Sequence, residues 1–173
     1  VGNIQAAHER LIALNNTFST NQEIAFRVAE LYASRKEPEN AIRVIDTLLN
    51  RSSKKPNNFI FHFLKAQIYE QMKEKDKAIT TLKECLDTYP RFDKGWLLYA
   101  MLQEQAGHIL DALKGYTGFL DTALQKRPEI EDHVMQLALK LSGQQKSNGI
   151  KTPHLEQAIA HFKQKEYHRA AHY

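Results

Sequence analysis

The sequence predicts an all-α architecture, a stack of helical hairpins, on three observations. Apolar residues recur at helical spacing through most of the 173 residues. One pattern, a small residue, usually a Tyr three later, then an Ala nine after that, returns three times. Only 7 Gly and 5 Pro punctuate the chain, too few for a many-stranded sandwich or barrel. Roughly eight to nine helices in a right-handed superhelix are expected, each hairpin leaning on its neighbours because it cannot bury its apolar faces alone.

The elements follow in order. Residues 1–20 read as the second helix of a preceding hairpin, with Ala7, Leu11 and Leu14 on one stripe. The first full unit spans 21–56. Its first helix carries Ile24, Ala25, Val28, Leu31 and Tyr32, and a polar turn leads to Pro38. Pro fits the first turn of a helix, where its missing N–H costs nothing. The second helix then shows Ala41, Ile42, Ile45, Leu48 and Leu49. Units 57–91 and 92–127 repeat the plan, with Pro90 and Pro128 at the breaks and Gly107 as a helix stop. A less regular helix is expected over 128–142 and a polar linker over 143–153. The start of a further, truncated repeat is expected over 154–173. The chain opens Val-Gly, and both ends look cut from a longer array.

The three stretches are Ala29–Tyr32–Ala41, Ala66–Tyr69–Ala78 and Ala100–Gln103–Ala112, with the last alanines 37 and 34 apart. Alanine at a helix crossing lets two backbones approach while Leu, Ile and Tyr fill the surroundings. With Trp96, Tyr116, Leu82 and Pro90 in matching places, the sequence resembles the tetratricopeptide repeat (TPR) family from about Ile4 to Leu124. Three departures stand out: Gln103 in place of Tyr, Cys85 and Phe119 in place of a small residue, and a longer exit loop, 51–56. The resemblance implies a helical-hairpin solenoid whose concave face, lined by the first helix of each unit, holds a partner polypeptide.

Composition and motifs exclude much else. Hydrophobic residues at 42% and charged residues at 25% describe a folded chain rather than a disordered one. Lys and Arg number 24 against 20 Asp and Glu, and the signs are interleaved, so no basic stripe for nucleic acid stands out. The longest nearly unbroken apolar run, Trp96 to Leu102, is too short to span a bilayer. The absent signal-peptide pattern and single Cys point to the cytoplasm. Phosphate-loop, nucleophile-elbow and zinc-protease motifs are missing, so no catalytic residue, cofactor or metal is expected. His168 and His172 share a helix face, but two histidines with no third ligand make a weak metal site. Cys85 and Trp96 are read as core.

Mapped onto the first helices, the expected partner-binding residues are Phe26 and Glu30, then Ile60, Phe63 and Gln67, then Lys94, Leu97, Met101 and Glu104. The centre is apolar and the rim mostly acidic, which suits a protein or peptide with an apolar segment. Burying one such side chain is worth roughly 1.5–3 kcal/mol, so three or four anchors reach micromolar affinity when ordering costs stay modest. With only Lys94 suited to an anion on that face, the carboxylate clamp known in the family is not expected. The expected function is a non-catalytic scaffold, adaptor or co-chaperone module, with self-association through the end helices as an addition. Two alternatives stand beside it: an RNA-binding helical-repeat protein, and an accessory arm of an enzyme whose catalytic domain lies elsewhere in the parent chain.

Overall fold

A computed structural model describes residues 2–18, 21–51, 57–125 and 127–148, with side chains over 6–18, 21–51, 57–125 and 127–141. Among the described residues there are eight helices and no strand, as the all-α reading expects. They are α1 (Gly2–Thr17), α2 (Gln22–Ser34), α3 (Pro38–Arg51), α4 (Asn58–Gln71), α5 (Lys75–Thr88), α6 (Asp93–Gln105), α7 (Ile109–Thr122) and α8 (Pro128–Asn148). The chain divides into two compact units, Val1–Tyr89 and Pro90–Tyr173.

In the first unit α2 pairs with α3 and α4 with α5, and α1 and α3 lean on the next hairpin. Asn21 starts α2, its side chain accepting from the Ile24 N–H at 3.1 Å, which satisfies one of the orphan donors of the first turn. Pro38 opens α3 as expected, followed by Glu39 at its positive end. Ala25, Ala29, Ala41, Ile45, Leu48, Phe61 and Ile68 form the core, with Phe26, Tyr32 and Leu64 packed against it. In the second unit α6 pairs with α7, and α8 packs on α7. Ala100, Ala112, Leu113, Tyr116, Val134, Leu137 and Ala138 form that core.

The repeated alanines sit at the crossings. Ala29, Ala41, Ala66, Ala78, Ala100 and Ala112 have no accessible surface. At the α6–α7 crossing the approach is close enough to need glycine. A Cβ on Gly115 would lie 2.8 Å from both Cα and Cβ of Ala100.

The hairpin turns also repeat. Lys36, Lys73 and Gly107 occupy the left-handed region at φ 60, 62 and 81. Each turn closes with the same pair of bonds, for example Lys73 N–H to Glu70 O and Glu74 N–H to Tyr69 O. This geometry closes off the last carbonyls of the first helix. Glycine adopts it freely; lysine does so at a cost of about 1–2 kcal/mol.

Gln103, where the pattern has Tyr, is buried with its polar atoms satisfied. Its Nε2 donates to Tyr99 Oη at 2.9 Å, and its Oε1 pairs with His108 Nδ1 at 2.9 Å. Residues 143–148, expected in a linker, instead continue α8 to Asn148. Gly143 is the one strong helix breaker in that stretch, at about 1 kcal/mol relative to Ala, and the Gln-Gln-Lys that follows is made of good helix formers. The loop 52–56, residues 149–153, the expected repeat start at 154–173 and its histidines lie outside the described residues.

Candidate functional site

In the first unit the candidate face is carried by α2 and α4. Phe26 is half-buried and meets Phe61 edge-on, ring centres 6.0 Å apart and planes at 82°. Such pairs add about 0.5–1.5 kcal/mol beyond area burial, so Phe26 is first of all a core side chain. Glu30 is exposed and shares Arg27 with Glu23: Arg27 Nη1 reaches Glu30 at 3.3 Å and Arg27 Nε reaches Glu23 at 3.0 Å. The acidic rim on α2 is therefore partly neutralised by Arg27. That residue stands at helical spacing from both carboxylates, so the pairing was legible in the sequence. On α4, Ile60 is 38% exposed, while Phe63 and Gln67 are half-buried.

In the second unit the face is carried by α6. Lys94 is exposed, and Met101 is 44% exposed. Leu97 packs against the core formed with α7 and α8. Glu104 is held within the unit: Tyr116 Oη donates to Glu104 Oε2 at 2.6 Å, and His133 Nε2 pairs with the same oxygen at 2.9 Å. His133 also stands edge-on to the Tyr116 ring at 5.2 Å. Partial burial works to raise the Glu104 carboxyl, but the Tyr116 and His133 bonds and the charges of His133 and Lys140 outweigh it, and the net effect is a lowered value. Burial, then the bond to Glu104, pushes the Tyr116 phenol well above its ordinary value. This group ties α6, α7 and α8 together.

Cys85 is fully buried on α5, and burial pushes its thiol up to about 12. A thiol in that state is packing, not a nucleophile. Trp96 is half-buried; its Nε1 donates to Pro90 O at 2.8 Å and its ring lies over Gly118, where a Cβ would come within 2.6 Å. Among the described residues, no three His, Cys, Asp or Glu side chains gather to hold a metal, and no helix is long and apolar enough to cross a membrane.

Residues 61–92, most of the second hairpin, match the tetratricopeptide repeat family model. This chain carries a tetratricopeptide repeat. The solved structures it resembles agree in fold. A crystal structure of MamA aligns over 98% of this chain and 92% of that one, at 13% identity and a TM-score of 0.63. PilF of Pseudomonas aeruginosa aligns over 93% of this chain and 66% of that one, at 15% identity and a TM-score of 0.62. PilW, described as a widely conserved type IV pilus biogenesis factor, aligns over 88% and 74%, at 16% identity and a TM-score of 0.60. At such identities the likeness is one of fold. No curated protein matches the sequence. The all-α TPR-type fold read from the repeated alanines is thus the observed one, and it is the fold of a general protein-interaction module.

Proposed function

We propose that this TPR protein is a non-catalytic adaptor that holds an apolar segment of a partner polypeptide against the first-helix faces of its hairpins. The observation that carries the reading is the exposure of Ile60 on α4 and Met101 on α6, at 38% and 44%. Each stands on the first helix of its hairpin, beside Phe63 and Gln67 in one unit and Leu97 in the other. A partner side chain laid on either completes its burial at roughly 25 cal/mol per Å² of apolar surface. Exposed Glu30 and Lys94 supply a polar rim that sets orientation more than affinity. A single buried cysteine fits a reducing compartment such as the cytoplasm.

The test is a pull-down comparing the chain with Ile60→Glu and Met101→Glu variants, after circular dichroism establishes that both are folded. These positions are chosen over Phe26 and Leu97 because the latter pack into the cores. Retention of a partner by the parent chain and its loss from the variants supports the reading. Equal retention by all three refutes it.

A further inference from the structure

The face of the first unit is charged on its α2 side and apolar on its α4 side. Gln22 Nε2 donates to Asn58 Oδ1 at 2.9 Å, and Phe26 meets Phe61 edge-on, so α2 and α4 lie side by side and run the same way. Each residue advances about 100° around a helix. Glu23 and Arg27, one step after the two contacts on α2, therefore turn to the same side as Ile60, one step before the Phe61 contact on α4. Glu30 and Gln67 follow two turns further along each helix. Resting on the reading of this face as the partner surface, we infer that the α2–α4 face selects a basic segment, one in which lysine or arginine stands beside apolar side chains.

The charge argues first. Glu23, Arg27 and Glu30 are all exposed. One guanidinium serves both carboxylates: Arg27 Nε donates to Glu23 Oε1 at 3.0 Å and Arg27 Nη1 to Glu30 Oε2 at 3.3 Å. Glu23 Oε2 and Glu30 Oε1 accept no hydrogen bond among the described residues, so each has an oxygen left for a second cation. Glu70, at the far edge of α4, forms no ion pair among the described residues. The single lysine of α4, Lys65, is turned to Asp46 of α3 at 2.6 Å, away from this face. Lys36 and Lys73 stand in the hairpin turns, past the ends of α2 and α4. The face thus carries an excess of negative charge, which draws a basic segment and repels an acidic one.

The apolar and amide groups complete the selection. Ile60 lies abreast of Glu23 and Gln67 abreast of Glu30, each within one residue of the 36-residue offset of the Gln22–Asn58 contact. The two rows stand roughly 10 Å apart along the helices at about 1.5 Å per residue. An extended segment, rising about 3.3 Å per residue with side chains alternating, presents cations to α2 and apolar groups to α4 across both rows. The Gln67 carboxamide holds no hydrogen bond among the described residues, and it offers a donor and an acceptor to the backbone of such a segment. A small inorganic cation makes no use of Ile60 or Gln67.

The experiment titrates the isotopically labelled full chain with three acetylated, amidated peptides, Lys-Leu-Ala-Leu-Lys, Gln-Leu-Ala-Leu-Gln and Glu-Leu-Ala-Leu-Glu, followed by nuclear magnetic resonance. Expected are shifts of the Ile60 methyls and the Gln67 side-chain amide, saturating at millimolar concentration. The lysine peptide is expected to bind about three- to tenfold more tightly than the glutamine peptide, and the glutamate peptide to bind most weakly. Glu23→Gln combined with Glu30→Gln, both exposed positions, is expected to remove the difference between the lysine and glutamine peptides. Asp87→Asn, on the exposed side of α5, is expected to leave it intact. Equal affinity for the lysine and glutamate peptides, with the Ile60 shifts retained, overturns the basic preference and leaves the apolar reading of the face standing. No shift at Ile60 or Gln67 from any of the three overturns both. The basic preference also falls if the double variant keeps it, or if the lysine peptide shifts only α5, where Asp76, Glu84 and Asp87 are exposed.

Discussion

Replacing Gly115 by alanine should destabilise the second unit, although alanine is the better helix former. The added Cβ would stand 2.8 Å from Ala100 Cα and Cβ and 3.0 Å from Ala100 N, where ordinary contact begins at 3.4 Å. Both opposing groups are backbone or fixed to it, so no side chain can swing aside. Helices α6 and α7 must part by about 0.6 Å, and overpacking of this kind costs about 1–3 kcal/mol. Against this, Gly→Ala within a helix gains up to about 1 kcal/mol from propensity and a less flexible unfolded chain. The net expectation is a loss of about 1 kcal/mol. Trp96, the chain's single tryptophan, stands on α6 and reports unfolding of this unit in urea by its fluorescence. A lower midpoint with unchanged slope is expected. A raised midpoint would show that the crossing has room to spare and would refute the close-approach account of the small residues.

Three further outcomes are expected. Lys73→Gly relieves the left-handed strain at φ 62 and should raise stability by about 1 kcal/mol in chemical denaturation, Lys73 being exposed with nothing else to lose. Glu104 carries a lowered native carboxyl, so its contribution is complete above the ordinary value of 4.5 and is lost as pH falls through the native value. Acid titration of folding should therefore show a shallower loss between about pH 5 and 3 in Glu104→Gln than in the parent. Cys85, with its thiol at about 12, should resist a disulfide reagent at about pH 8 in the native chain and react fully in denaturant.

Much of the fold was legible because its determinants are local and repeated. Ala41, Ala78 and Ala112 mark crossings with no accessible surface, and helix ends at Pro38 and Gly107 follow from one residue each. The turns were only partly legible. Gly107 announces a left-handed residue, but Lys36 and Lys73 do not, and only the repeat period reveals that they occupy the same place. The helical run through 143–148 was hidden because a polar Gln-Lys-Ser composition serves a linker and an exposed helix alike.

The candidate face was legible in outline, since helical spacing fixes which residues share a side of a helix. How far each side chain is occupied within its own unit was not. Phe26 turns to Phe61, Leu97 joins the α6–α8 core and Glu104 closes on Tyr116 and His133. The partners of Phe26 and Glu104 come from other helices, 12 to 35 residues away, which spacing within one helix cannot see.

The most direct test of the central claim is site-specific photo-crosslinking in a native lysate. A photoreactive phenylalanine analogue replaces Ile60, Met101 or, on the second-helix side, exposed Lys83, one at a time. Crosslinks to a polypeptide from Ile60 and Met101, and none from Lys83, are the predicted result. Crosslinks from Lys83 alone, or equally from all three positions, would contradict the first-helix faces as the surface that holds the partner.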